Sequence, residues 1–411
     1  MHQITPILAA LKRHKAGTTL LALQIALTLA IICNALFIIE QRITHMSRPT
    51  GMVENNLLTI RNHWVGVTPN DVAPQIKSDL LALRQLPGVQ DATQVNSFPL
   101  LDAGHSDDIN LDPNSKSAVT NAAIYFVDEH AIPTMGAKLI AGRNFHSDEV
   151  RSLDPKAIQS SPQVILTKAL ADKLYPDGSA LGKTLYVGNN VPASTVVGIV
   201  ERLQIPWNGS WADNISEYTL LMPIQRTGND GVYLIRSKPG QLPDVTKSAS
   251  AALIKLSRMR VVNDNDIRTF DVVREQAYKN DRGMALLMGV ICIVLLAITA
   301  AGIVGLTSFW VGQRRKQIGV RRALGATKSD ILSYFLTENF LIGIGGVVVG
   351  AALAILLNLW MMSQFQMNRL SLSYVLAGMV ALLLLGQGAV LSLAFRASRV
   401  SPVEAIRRLN N

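Results

Sequence analysis

Four long apolar segments constrain this 411-residue chain more than any other feature of its sequence. They cover residues 18–39, 284–310, 335–360 and 373–395, and Glu338 is the one Asp, Glu, Lys or Arg among them. A helix rises about 1.5 Å per residue, so each segment is long enough to cross roughly 30 Å of hydrocarbon. We therefore predict four membrane-spanning helices.

Basic residues lie beside these segments rather than being spread over the chain. Residues 1–17, 311–334 and 396–411 contain 13 Lys and Arg against two Asp and Glu, whereas the whole chain has a formal net charge of +10. Loops rich in Lys and Arg stay on the cytoplasmic side of a membrane. We therefore place those three segments in the cytoplasm and residues 40–283 and 361–372 outside, and we expect no nucleic-acid partner.

The amino-terminal segment contains two predicted elements. Ile4, Ile7, Leu8 and Leu11 recur at helical spacing, which predicts a short interfacial helix within residues 1–17. The 22 uncharged residues that follow exceed the 7 to 15 apolar residues of a signal peptide, and no small-residue cleavage site comes after them. We expect a retained first span.

The outer segment, residues 40–283, contains two similar patterns far apart in sequence. Each pattern predicts a strand, a helix and a second strand, which together give a split, ferredoxin-like α+β module. The first pattern is Leu57–Asn62, Asp71–Leu86 and Val89–Val95, and the second is Gly231–Arg236, Pro243–Met259 and Arg260–Phe270.

Residues from about 97 to 224 then form an inserted subdomain. Its predicted strands are Ala122–Val127, Gln163–Leu166, Lys183–Val187 and Thr195–Glu201, with a helix over Thr167–Leu174. Beyond the module, residues 266–281 could continue the second span outward as a stalk, although a helix that is merely long explains the same pattern.

The loop between the second and third spans, residues 311–334, reads as helix, break, helix. Gly325 suits a left-handed helix end. Thr327 and Asp330 have the spacing of a capping box ahead of the apolar Ile331 and Leu332. On charge alone this loop could be a topology anchor and nothing more.

The order of residues in that loop resembles the cytoplasmic signature of the FtsX-like permeases, the MacB, LolC/LolE and FtsX group of ABC transporters. The similarity lies in Lys316-Gln-Ile-Gly-Val-Arg-Arg-Ala-Leu-Gly-Ala326 and Asp330-Ile331. Shorter fragments in the insert resemble the MacB periplasmic core domain, and the carboxyl-terminal tail resembles the family's closing segment. These fragments are Gly142–Phe145, Ala171–Tyr175, Leu181–Lys183, Val196–Val200 and Ser401–Arg407.

The resemblance implies a permease subunit of an ABC transporter in the bacterial inner membrane. Such a subunit would transmit ATP hydrolysis by a separate ATPase to its periplasmic domain and drive export. The implied partners are two ATPase copies, a second or sister permease, and an adaptor with an outer-membrane channel. Regulation of a cell-wall hydrolase, as in FtsX, and Lol-like lipoprotein release stay open as alternatives.

Two sets of site residues follow. The resemblance implies that ATPase contact falls on Arg315, Lys316, Ile318, Gly319, Arg321, Arg322, Ala323, Gly325, Ala326 and Asp330. On the third span, Gly343, Gly346 and Gly350 include a GxxxG spacing, which permits close helix approach either between two copies or within one chain. We expect Glu338 to pair with a cytoplasmic basic residue.

Catalytic patterns are weak in this sequence. Gly178 to Thr184 resembles a phosphate-binding loop but has three residues between its glycines where that motif needs four, so we interpret it as a turn before a strand. His105, Asp107 and Asp108 fit a solvated loop better than a metal site. We therefore expect a non-enzymatic chain without its own cofactor, with ATP and Mg²⁺ bound by the partner ATPase.

Overall fold

The computed structural model describes residues 15–113, 115, 117–154, 156–157, 159–189, 191–314, 318–320, 324–365 and 370–398. The chain forms two compact units. The membrane unit combines the residues up to Ser47 with those from Asn280 onward, and the outer unit is Arg48–Lys279. The predicted interfacial helix within residues 1–17 and the tail from residue 399 lie outside the described residues.

The described helices, in chain order, are α1 (Lys15–Met46), α2 (Pro69–Gln85), α3 (Ala131–Met135), α4 (Lys168–Leu174), α5 (Leu242–Leu256), α6 (Phe270–Ala277), α7 (Lys279–Gln313), α8 (Lys328–Phe365) and α9 (Leu372–Ser398). The described strands are β1 (Leu57–Trp64), β2 (Val89–Val95), β3 (His105–Asn110), β4 (Thr120–Phe126), β5 (Leu139–Gly142), β6 (Arg151–Leu153), β7 (Gln163–Thr167), β8 (Thr184–Val187), β9 (Ser194–Val200), β10 (Thr219–Met222), β11 (Ile224–Arg226), β12 (Asp230–Ser237), β13 (Arg260–Val261) and β14 (Ile267–Thr269).

The membrane unit is built from α1, α7, α8 and α9, and all four are long and apolar enough to cross a membrane. This confirms the fold class predicted from the four apolar segments. The helices differ in how much of their apolar stretch is covered by protein. Over half of that stretch is buried in α1, at 56%, against 17% in α7. Helix α1 is thus the more buried of the two, and most of the surface of α7 is left to contact lipid or another chain.

The outer unit contains the predicted split module. Its sheet has the order β13, β1, β12, β2, and every neighbouring pair is antiparallel. Taking β12 as the third strand of the module and β13 as the fourth, the order is 4-1-3-2, that of a ferredoxin-like fold. Helices α2 and α5 cover one face, where Ile60, Ile76, Tyr233 and Leu253 are buried in a common core. The expectation of a ferredoxin-like module is confirmed.

The last strand of the module differs from its prediction. The sequence suggests one strand over Arg260–Phe270, but a 3-10 turn at Asp264–Asp266 interrupts it. The cap of this turn includes a hydrogen bond that the N–H of Asn263 donates to the carboxylate of Asp266. Strand β14 then pairs separately with β1. The continuous stalk over residues 266–281 is also wrong, because α6 ends at Ala277 before α7 begins.

The inserted subdomain is a seven-stranded sheet of order β5, β9, β7, β10, β4, β3, β8. Strand β8 also pairs with β9, so six of these strands close on themselves around an apolar core that includes Ile124, Leu166 and Leu220. Strands β4, β7, β8 and β9 and helix α4 lie within a residue or two of their predicted positions. Gly178 and Gly182 have φ of +77° and +80° and precede β8, so the glycine-rich segment is the predicted turn.

Strand β3 corrects the interpretation of His105, Asp107 and Asp108 as a solvated loop. This segment pairs with β4 from His105 opposite Ile124 to Ile109 opposite Thr120. Ser106 and Asp108 are exposed, whereas His105 and Asp107 are half-buried on the strand face that they share with the buried Ile109. No group of three metal-ligating side chains occurs among the described residues.

A buried ion pair lies in the core of the ferredoxin-like module. The guanidinium of Arg260 donates two 2.8 Å hydrogen bonds to the carboxylate of Asp79, and their side chains are 0% and 1% exposed. Tyr233 also donates a 2.6 Å hydrogen bond to Asp79, and the guanidinium stacks 4.2 Å from the ring centroid of Trp64. Such a pair is tolerated because both charges are satisfied, and losing one partner leaves the other buried without compensation.

We predict that Asp79→Ala lowers the free energy of unfolding of the outer unit by about 3–5 kcal/mol, since it leaves the Arg260 charge buried. Pulse proteolysis of the full chain in detergent, across a urea series, measures the change. The matched control is Asp172→Ala, which breaks the exposed i, i+4 pair with Lys168 and should cost under about 1 kcal/mol. Equal effects of the two substitutions would contradict the prediction.

Asp128 joins the module to the insert within the outer unit. Its carboxylate accepts hydrogen bonds from the hydroxyl of Thr93 on β2 at 2.5 Å, from Arg84 at 3.2 Å and from the backbone N–H of His130 at 3.0 Å. His130 in turn contacts Asp91 at 2.9 Å. Burial raises the pKa of Asp128 to about 6, against the lowering effects of Thr93 and Arg84.

The raised pKa makes the stability of this junction depend on pH. The folded state holds the Asp128 proton more tightly than the unfolded state does. The stability that protonated Asp128 contributes is therefore complete below pH 4 and is lost as pH rises through about 6. We predict that the stability difference between the parent and Asp128→Asn falls by about 1–2 kcal/mol from pH 5 to pH 7.5. Pulse proteolysis at both pH values tests this, and the Asp172→Ala control should show no such change.

Candidate functional site

The candidate site is the loop between α7 and α8, where the structure describes half of the predicted coupling residues. Arg315, Lys316, Arg321, Arg322 and Ala323 lie outside the described residues, whereas Ile318, Gly319, Gly325, Ala326 and Asp330 lie within them.

Helical hydrogen bonds extend from α7 into this loop. The N–H of Arg314 donates to the carbonyl of Trp310, that of Ile318 to Arg314, and that of Leu324 to Val320. Ile318 is buried at 6% exposure in the same apolar cluster as Trp310. Val320 and Leu324 are exposed at 57% and 83%. The loop therefore anchors one apolar side chain in the membrane unit and presents two others to its surroundings.

The break that follows depends on Gly325 and on a cap for α8. Gly325 has φ of +98°, and a Cβ added there would meet nothing within 4 Å, so backbone conformation rather than space requires glycine at this position. The hydroxyl of Thr327 accepts a hydrogen bond from the N–H of Asp330 at 3.2 Å, and the Asp330 carboxylate accepts the N–H of Thr327 at 2.9 Å. The predicted capping box is confirmed.

An ion pair fixes this loop to α8. The guanidinium of Arg314 donates to both carboxylate oxygens of Glu338, at 2.8 and 3.0 Å, and to the hydroxyl of Tyr334 at 3.2 Å. The two charged side chains are 11% and 3% exposed. The expected pairing of Glu338 with a basic residue of the loop between the second and third spans is confirmed. Arg314 was not among the predicted coupling residues, although its position four residues after Trp310 places it one helical turn beyond the span.

A second charged contact holds the opposite end of α7. Asp281, in the first turn of α7, is buried and accepts a 2.8 Å hydrogen bond from Arg42 and contacts His45 at 3.0 Å. Both partners lie in the last two turns of α1. Helix α7 is thus bound to α8 at one end and to α1 at the other.

Between these ends, α7 meets α1 through uncharged polar groups. The hydroxyls of Thr28 and Thr299 are 2.8 Å apart, and the amide of Gln24 donates to the carbonyl of Ile298 at 3.1 Å. A side chain added at Gly302 would lie 2.5 Å from the Gln24 amide oxygen. Hydrogen bonds of this kind connect helices inside a bilayer at modest energy, about 1 kcal/mol each.

The glycines of α8 make its contact with α1. A Cβ added at Gly346 would lie 2.8 Å from the carbonyl oxygen of Ala22, and one at Gly350 would lie 2.7 Å from that of Ala26. Gly343 instead faces Leu383 on α9. Of the two interpretations left open for this spacing, the geometry favours helix packing within one chain. In lipid, apolar burial gives no net driving force for helix association. Small residues stabilise the contact instead, because they let two backbones approach closely.

Sequence comparison identifies what these units are. The profile described as "MacB-like periplasmic core domain" matches residues 17–253, more than half of the chain, and that described as "FtsX-like permease C-terminal" matches residues 289–402. The chain belongs to the MacB/FtsX-like permease family. It is a membrane protein with a periplasmic domain of the MacB type.

Named relatives extend this similarity along the permease. The "Macrolide export ATP-binding/permease protein MacB" of Shewanella sp. (strain W3-18-1) is 26% identical over 98% of this chain and 60% of that protein. The protein of the same name from Psychrobacter arcticus is 27% identical over 98% of this chain and 58% of its own length. A third, from Chromobacterium violaceum, is 28% identical over 57% of this chain and 35% of that protein. The permease therefore spans between about a third and three fifths of these relatives.

Two solved structures are similar to part of this chain at low identity. The periplasmic region of MacB from Actinobacillus actinomycetemcomitans is 18% identical, with a TM-score of 0.35, over 57% of this chain and 97% of that one. The extracellular domain of the noncanonic ABC-type transporter YknZ from Gram-positive bacteria is 15% identical, with a TM-score of 0.33, over 50% of this chain and all of that one.

We predict that Gly350→Val destabilises the membrane unit by about 1–3 kcal/mol, because its side chain would overlap the backbone of α1 at Ala26. Gly345→Val is the matched control, since nothing lies within 4 Å of a side chain at that position of the same helix. Thermal unfolding of the permease in detergent should show a lower midpoint for the first variant alone. Equal midpoints would mean that this packing contact is not formed.

Proposed function

We propose that this permease couples ATP hydrolysis by an ABC ATPase to motion of its periplasmic domain and so drives export of a substrate from the periplasmic side. The observation that carries the proposal is the loop between α7 and α8, where a rigid attachment to α8 lies next to exposed apolar side chains. The relatives whose names include "Macrolide export" support an export role.

The exposed side chains supply a surface for the ATPase. Val320 and Leu324 flank the basic pair Arg321 and Arg322 in the sequence, so apolar and cationic groups alternate along one short segment. Exposed apolar side chains rimmed by charge are typical of protein contacts. On a loop that the charge pattern places in the cytoplasm, an ATPase is the partner we propose.

The attachment allows a displacement of this surface to reach the helices. The pair formed by Arg314 and Glu338, together with the capped start of α8, ties the loop to two helices at once. Helix α8 packs closely on α1 through Gly346 and Gly350, whereas α7 is held mainly at its ends. We propose that α7 tilts against the other three helices and that this motion reaches the periplasmic domain through residues 278–279.

The complete assembly that we propose contains two permease chains, or this permease and a sister permease, with two ATPase copies in the bacterial inner membrane. A periplasmic adaptor and an outer-membrane channel would complete the export route. ATP and Mg²⁺ would be bound by the ATPase, and we assign no cofactor to the permease. Its residues contribute partner binding, helix packing and transmission of motion.

The test reconstitutes the permease in lipid nanodiscs with the ATPase subunit that co-purifies with it. We predict that the permease changes ATP turnover and that Arg321→Glu/Arg322→Glu and Leu324→Asp each abolish at least about 80% of that change, because both remove favourable contacts at the proposed surface. Steady-state phosphate release measures turnover, and co-purification measures association.

Lys247→Glu is the matched control, since it reverses an exposed basic charge on α5, in the outer unit rather than in the membrane unit that carries the loop. It should leave both association and turnover within about twofold of the parent, as expected for an exposed charge outside a contact. Unchanged coupling in the two loop variants would mean that the basic loop fixes topology and does not transmit ATP hydrolysis.

A further inference from the structure

A cleft of about 430 Å³ lies in the outer unit between the ferredoxin-like module and the insert. Its floor is the face of the module sheet opposite α2 and α5. Directly paired residues of antiparallel strands share a face, and Arg61, Val232 and Val95 form one such row across β1, β12 and β2. His63 and Asp230 form the next paired position on that face. The floor therefore combines apolar and charged side chains.

One wall of the cleft is a strained segment. Leu101 and Ala103 line it, and the two residues beside Leu101 have positive φ, 71° at Leu100 and 59° at Asp102. Residues other than glycine adopt positive φ only at a cost in free energy. The segment is held in place by the hydrogen bond from the N–H of Asp102 to the carbonyl of Pro206, at 3.1 Å. Its shape is therefore fixed before any ligand binds.

The opposite wall carries an arginine with an unsatisfied donor. The Nε of Arg226 is buried and has no hydrogen-bond partner among the described residues, and its guanidinium lies 5.5 Å from the ring centroid of Phe126. Burial lowers the pKa of Arg226, and the nearby carboxylate of Asp154 opposes this only in part. A buried donor of this kind is costly when left unsatisfied.

A second arginine reaches the same space from the floor. Arg61 is exposed, and within the described part of the chain its side chain makes no ion pair or hydrogen bond. Asp230 is the one carboxylate among the described residues that line the cleft, and His63 engages it at 2.6 Å. The cleft thus has a net positive charge in a volume typical of small-molecule sites.

We propose that this cleft binds a small amphipathic organic anion, with Arg226 and Arg61 binding its acidic group and Leu101 and Val232 contacting its apolar part. Guanidinium groups bind carboxylates and phosphates through paired hydrogen bonds. The site goes beyond the proposed coupling to an ATPase, and binding can be measured without nucleotide or ATPase, so either idea can fail alone.

The test uses dansylglycine, a fluorescent aromatic carboxylate, with the full permease in phosphatidylcholine nanodiscs and empty nanodiscs as the blank. We expect a saturable rise in dansyl emission. Dansylglycinamide, which has the same skeleton without the negative charge, should bind about tenfold more weakly or worse. Arg226→Gln and Arg61→Gln should each weaken dansylglycine binding about tenfold, because each removes a charge-assisted contact.

Two further variants separate a specific site from general charge effects. Lys77→Gln removes one positive charge from the exposed face of α2, in the helical layer on the other side of the sheet, and should leave the affinity unchanged. Asp230→Asn removes the carboxylate from the cleft and should tighten binding. Arg61 is exposed, so its loss should not disturb folding even if that of Arg226 does.

Three results would overturn the proposal. The first is the absence of any saturable emission change in the parent permease, and the second is equal affinity for the acid and the amide. The third is an affinity for dansylglycine that neither arginine substitution alters, since that would place the dye elsewhere on the molecule.

Discussion

Hydrocarbon offers no hydrogen-bonding partner to a peptide group, so each backbone donor and acceptor within the bilayer must be satisfied inside its own segment. This constraint accounts for the four long helices and for the kinds of side chain between them. Helices α1 and α8 meet at Gly346 and Gly350, and α1 meets α7 through the hydroxyls of Thr28 and Thr299. Contacts inside the layer use small or neutral polar groups, and the charged pairs lie near its boundaries.

The two charged contacts of α7 give that helix a different mechanical character from α8. The pair of Arg314 and Glu338 fastens one end, and Asp281 with Arg42 and His45 fastens the other. Little of the length between them is covered by protein. A helix that is fixed at both ends and makes few contacts along its middle can change tilt while breaking few interactions, whereas α8 cannot move against α1 without separating backbones in close contact.

Features that depend on composition or local spacing could be predicted from the sequence. The spans follow from long uncharged runs, the capping box from the spacing of Thr327 and Asp330, and the module from two repeated patterns whose strands are rich in β-branched residues. The proposed ATPase-contact residues rest on the resemblance of the loop to a family signature, and they stay a prediction. Arg314 could not be singled out in this way, because its partner Glu338 is 24 residues away and only the fold brings the two together.

Other differences between prediction and structure arise where pairing overrides local preference. Strand β3 reads His-Ser-Asp-Asp-Ile-Asn, which is poor in β-forming residues, and it is a strand because β4 and β8 flank it. The interruption at Asp264–Asp266 depends on a cap within the turn, and the strand after it is aligned by β1. The cleft has no sequence signal, since Arg61, Leu101 and Arg226 come from three distant segments.

The insert leaves the module between β2 and β12, and these strands are already paired with each other up to Val95 and Val232. The module sheet therefore needs no residue of the insert to set its register. A hairpin turn of two to five residues would join the same strand ends. In evolutionary terms, a segment of more than one hundred residues occupies the place of a turn, and it can be gained, lost or exchanged while the hydrogen bonds of the sheet beneath it stay the same.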